Sequence, residues 1–203
     1  MEMETPKKRS FTVPVLLILL TFSLIGNVFF YSQNLQNGQD KKQSDGQAII
    51  NHGLAAKAHV DAALNALGGF ETSTTADRAA LLYKLGQASA GQADLFKFIE
   101  DARTHTVSPS ITDEDSLKAL QALNSQFAAI GAMTGELAAA DKEAIQSLQS
   151  LYAKLKDQLA SFQLESGDKL VEMSVLTGGS WVDSGLALEQ AIVEAQSHTA
   201  SNK

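Results

Sequence analysis

His52 and His59 are the first residues whose type and spacing could do chemistry: seven positions apart, they share a face if the segment is a helix, and two imidazoles are half of a tetrahedral metal site. Seven residues of helix rise about 10.5 Å, too far for both rings to reach one ion without further ligands. They read as surface or linker histidines. Ser166 and Lys169 have S-x-x-K spacing, the nucleophile and lysine of penicillin-recognising enzymes, but the S-D-N and K-T-G elements are missing, as is any α/β scaffold. The match reads as chance in a helix-ending loop. Gly86, Ser89 and Gly91 fail the G-x-S-x-G spacing of a nucleophile elbow and follow no strand; small helix-packing residues account for them. Asp113, Glu114 and Asp115 lack the D-x-D-x-D-G order of a calcium loop and read as helix capping. Glu100 and Asp101 read as a solvated face, with no carboxylate pattern placing a partner across a cleft. No catalytic residue, cofactor or metal is expected, and the chain reads as non-enzymatic.

Trp181 differs in kind. It is the single tryptophan, set in GGSWVDSGLALEQA where a glycine loop enters a helix. Such a residue either closes one end of a helical bundle or anchors a protein partner.

The elements that must position these residues begin with KKRSFTVPVLLILLTFSLIGNVFFYSQN. Residues 11–31 are 21 residues without a charge, which as a helix would rise about 31 Å against a hydrocarbon core of about 30 Å. Phe11, Leu16, Leu17, Ile18, Leu19, Leu20, Phe22, Leu24, Ile25, Val28, Phe29, Phe30 and Tyr31 are the expected membrane anchor, solvated by lipid. A cleaved signal peptide with the same basic start is the alternative. Its apolar region would be shorter and followed by a small-x-small site, whereas Gly26 has Leu24 before it and the run continues through aromatic residues. Lys7, Lys8 and Arg9 precede the run, so the positive-inside rule puts residues 1–10 in the cytoplasm and everything after Tyr31 outside it.

Of 23 acidic and 16 basic residues, two and three respectively precede Ser32, which leaves 21 and 13 and a net charge of −8 beyond the anchor. Such acidity excludes nucleic acid as a natural partner. With no cysteine, the fold depends on packing alone.

Residues 32–46 are polar and read as a linker or a frayed helix, and residues 47–197 as the helical domain, with 198–203 a disordered tail. Ser44 and Gln47 have capping-box spacing, and Ile50, Leu54, Leu64 and Leu67 mark a helix that Gly68 and Gly69 stop. Thr74 or Thr75 caps a second helix with the seam Leu82, Leu85, Ser89, Gln92, Phe96 and Ile99; its small residues Ala88, Ala90 and Gly91 invite a close neighbour. Thr112 caps a third, bearing Leu117, Leu120, Phe127, Ile130 and Leu137, with Gly131 and Gly135 as a further small-residue pair. A coiled-coil-like seam, Ile145, Leu148, Tyr152, Leu155, Leu159 and Phe162, defines the fourth, with Asp141 as its expected N-cap after a tight turn. A single long helix through both segments is the alternative. After the loop at residues 177–180, Asp183 or Ser184 opens a final helix to about Ala195. No strand pattern competes, so the expected class is all-α, an antiparallel bundle of four to five helices behind one transmembrane helix.

A short basic tail, one anchor helix, amphipathic helices and then W-x-D-x-x-x-A-L, here Trp181, Asp183, Ala187 and Leu188, resemble the N-terminal region of the YpeB family of spore germination proteins. QASAGQADL at residues 87–95 and DKEAIQSLQSLYAKLKDQL at residues 141–159 resemble two of that family's helices, and the likeness covers most of residues 76–195. The resemblance implies a membrane-tethered helper outside the inner spore membrane that supports a cell-wall lytic enzyme. Two readings therefore enter the structural description. The first is a scaffold with a protein partner outside the cytoplasm, a cell-wall hydrolase by resemblance. The second is a sensory ectodomain that binds a small ligand and, with about ten residues inside, signals through a partner subunit.

Overall fold

Every regular element among the described residues is a helix, as the 3.6-residue spacing of apolar positions requires. The computed structural model describes residues 12–70, 73, 75–133 and 136–201. There are seven helices among them: α1 (Thr12–Gly68), α2 (Thr75–Ala90), α3 (Gln92–Thr104), α4 (Asp113–Gly131), α5 (Ala139–Leu159), α6 (Lys169–Val175) and α7 (Ser180–Ser201). The chain divides into two units, Met1–Lys42 and Gln43–Lys203.

From Val13 to Tyr31 α1 carries no charge on any side, and its large apolar side chains there are exposed. A helix apolar on all sides and uncovered by protein has lipid as its stable environment. Among the described residues this is the one helix long and apolar enough to cross a membrane. Residues 1–11, including Phe11 and the basic tail, lie outside the described residues.

Residues 32–46, expected as a linker or frayed helix, are helical throughout. No proline and no paired glycine interrupts them, and Gln, Lys and Leu are adequate helix formers. Ser44 and Gln47 therefore cap nothing: no helix starts there, and the Gln47 amide instead donates to Ser166 Oγ.

The second unit holds one core. From α1 it takes Ile49, Ile50, Ala56, Val60, Ala63 and Leu67, spaced along one helical face. Two glycines on that face, Gly46 and Gly53, let other segments approach: a Cβ on the first would overlap the Glu172 carbonyl, and one on the second the Phe162 ring. All six seam residues of the fourth predicted segment are buried. Each such side chain contributes about 1.5 to 3 kcal/mol. α7 packs against α3, α4 and α5, and Gly185 lets it close on Ala102 of α3.

Helix boundaries differ from expectation at several points: Leu137, expected on the third helix, lies beyond the end of α4, and Phe162, expected on the fourth, lies beyond the end of α5. The second predicted segment breaks into α2 and α3 at Gly91, whose missing side chain admits the His59 Cβ, only 3.0 Å from where a Cβ would stand. α5 is separate from α4, but Asp141 is its third residue rather than its cap, and its carboxylate accepts the Ala138 N–H at 2.9 Å. α6 is an additional helix, capped by Asp168, which accepts from the Leu170 N–H at 2.8 Å. α7 opens at Ser180, before Asp183 and Ser184, because Gly178 and Gly179 complete the turn at φ 86° and 126°, where a side chain would be strained. It continues to Ser201, so helix occupies much of the expected 198–203 tail, while residues 202–203, Thr74 and Gly135 lie outside the described residues.

Candidate functional site

A groove of about 750 Å³ lies between α3 and α4. Its apolar lining is Phe96 and Ile99 from α3, Leu117 and Leu120 from α4, and Pro109 from the connecting loop. The sequence expected Leu117 in the core; it is 57% exposed. Ser116 and Ala119 take the buried positions in the first turns of α4, and Leu117 falls outside them. Further along, Leu123, Phe127 and Ile130 are buried as the helical period demands.

Arg103 closes one end of the groove. Its guanidinium donates to Glu189 of α7, to Asp113 in the first turn of α4, and to the Ile111 carbonyl at 3.2 Å. Burial alone would lower its pKa, but the hydrogen bonds it donates to Glu189 and Asp113 raise it, so the cation is held by two carboxylates. Thr112 caps α4 as expected, its hydroxyl accepting the Asp115 N–H at 3.1 Å. The expected cation-free reading of this acidic cluster thus gains a definite role for Asp113: it joins α4 to α3 through Arg103.

Trp181 is buried, its ring 5.9 Å from Phe98 and 5.0 Å from His105, and its Nε1–H donates to the Val175 carbonyl at 3.1 Å. Leu188 is fully buried, Ala187 partly buried and Asp183 exposed. The four matched positions therefore share a helix and not a surface.

His59 corrects the expectation of a surface histidine. It is buried; Nδ1–H donates to the Ala88 carbonyl at 2.7 Å, which only an N–H can do, and Nε2 accepts from the Tyr152 hydroxyl at 2.9 Å. Burial lowers its pKa below the ordinary histidine value, so the ring is neutral. His52 instead pairs with Asp101 at 2.8 Å, part-buried, so the two histidines serve different contacts. Ser166 of the S-x-x-K match lies in the loop before α6, donating to Glu172 Oε1 at 3.3 Å. Glu172 also accepts the Gly167 N–H at 2.9 Å and the Gln43 amide at 2.8 Å, and these hold its pKa below the usual carboxylate range. Among the described residues no three His, Asp or Glu side chains gather as metal ligands.

Sequence reasoning missed Arg103 with Glu189, His59 with Tyr152, and Glu172. The small residues Ala88, Ala90 and Gly91 were the sequence signal of close approach near His59, and Gly91 does face the His59 Cβ. The described lining of the groove combines apolar side chains with the Arg103 guanidinium and the carboxylates of Glu100 and Asp113. Compared with protein-family models, curated proteins and solved structures, the chain matches none.

Proposed function

We propose that the chain is a non-enzymatic, membrane-tethered protein-binding domain, a helical bundle held outside the cytoplasm by the anchor in α1. The observation that carries this reading is the α3–α4 groove, where Phe96, Pro109, Leu117 and Leu120 line a concavity beside Arg103 and Glu100. The basic residues Lys7 to Arg9 before the anchor support the outward orientation. The resemblance of Trp181, Asp183, Ala187 and Leu188 to the YpeB motif supports a cell-wall lytic enzyme as the partner class and a cell or inner spore membrane as the location.

A photo-crosslinking residue at position 117 in intact cells tests the reading. A discrete protein adduct is expected there and none at position 170, which is more exposed but remote from the groove lining. No adduct at 117, or equal labelling at both, would count against it. External protease is expected to digest the second unit and spare the N-terminus.

The groove volume also falls within the range of about 300 to 1,000 Å³ typical of small-ligand sites, which favours the sensory reading second. A small molecule that raises the melting temperature of the full chain, and whose effect Leu117→Asp abolishes, would move it to first place.

A further inference from the structure

We infer that the occupant of the α3–α4 groove is an amphipathic helix carrying lysine or arginine on the flank that meets the Arg103 end. This rests on the protein-binding reading and names the chemistry of the partner. The lining runs from Phe96 to Thr104 on α3 and from Asp113 to Asn124 on α4, about 12 and 16 Å at 1.5 Å per residue, the length of two to three helical turns. α3 and α4 both rest on α7, and the groove lies between them, so a further helix laid there would have a helix on either side. Its apolar face, with anchors at the three- and four-residue spacing of helix-in-groove recognition, would meet the exposed Leu117 and the part-buried Phe96 and Leu120.

Charge decides the flank. Arg103 is the one cation among the described lining residues, and Glu189 and Asp113 both bind it. Glu100 lies exposed on the same lining. The buried Glu189 offsets Arg103, so the exposed Asp113 and Glu100 leave that end negative, while Gln121 and Asn124 at the other are neutral. A second copy of this chain, itself acidic, would bring like charge to like.

The absence of native cysteine makes a local probe clean. Full-length Asn124→Cys carrying an environment-sensitive dye, in zwitterionic nanodiscs, is titrated with two model helices of about 11 residues, enough to span the groove. One is built from Leu and Lys, the other from Leu and Glu. We expect a saturable blue shift with the Leu/Lys peptide, at least tenfold tighter than with the Leu/Glu peptide. Leu117→Asp should abolish it even though that change adds negative charge, and Glu100→Gln should weaken it. A dye at Leu170→Cys should not respond.

Equal affinity for both peptides, or binding unmoved by Leu117→Asp, overturns the inference. So does a shift produced by unlabelled chain alone, which would make a second copy the occupant. Failure of both peptides while position 117 still yields a protein adduct in cells removes the cationic helix and leaves the protein-binding reading standing; failure of both experiments removes the two together.

Discussion

The Tyr152 hydroxyl and the His59 Nε2 meet at 2.9 Å inside the core, joining α5 to α1, while the other face of the imidazole is tied to the α2 backbone at Ala88. Three helices thus converge on one neutral ring. The Phe127 ring, 5.3 Å from that of Tyr152, brings α4 to the same point.

Tyr152→Phe keeps the aromatic contacts and removes the donor, which leaves His59 Nε2 buried and unsatisfied. The expected loss is about 1 to 3 kcal/mol, read as a lower urea midpoint of the detergent-solubilised full chain. An unchanged midpoint would show that the hydroxyl adds nothing.

Burial lowers the His59 pKa, so the unfolded chain takes up a proton near pH 6.5 that the folded one refuses. Its contribution is complete above about pH 6.5 and declines as pH falls toward the folded value. His59→Gln should flatten that part of the stability profile relative to wild type; parallel profiles would refute the assignment.

Glu172 has the opposite charge and the same sign of slope. The Gly167 N–H and the Gln43 amide lower its pKa, so its contribution is present above about pH 4.5 and is lost as pH falls through the folded value. The protection factor of the Gly167 amide against hydrogen exchange should fall in Glu172→Ala and, at low pH, in wild type. Gly46→Ala drives a Cβ into the Glu172 carbonyl and should cost about 1 to 3 kcal/mol.

Removing Arg103 strands the buried Glu189 carboxylate beside α7, whereas removing Glu189 leaves Arg103 with Asp113. Arg103→Met should destabilise by about 3 kcal/mol, and adding Glu189→Ala should recover part of it, a coupling that a double-mutant cycle measures. Strict additivity would mean that the two side chains act independently.

Within the anchor, Leu19→Arg places a charge near the middle of the apolar run, at a cost of about 2.5 to 3.5 kcal/mol for insertion. A larger share of the chain should appear in the alkaline-soluble fraction. Full retention of the variant would argue that these residues are not in lipid.

The apolar run, the all-helical class, the seam from Ile145 to Phe162, the Thr112 cap and the glycine stops were legible in the sequence, because each depends on composition, on a period of 3.6 or on a neighbour a few residues away. Burial of His59, exposure of Leu117 and the break at Gly91 were decided by tertiary structure: a helical period says that a face is apolar, but which residues a neighbour covers depends on how closely its backbone can approach. The polar pairs lie further still from local rules. Arg103 and Glu189 are separated by 86 residues, His59 and Tyr152 by 93, and Gln43 and Glu172 by 129. No local pattern links residues so far apart, and only packing around α7 and the small positions of α1 brings their charges and hydrogen bonds together.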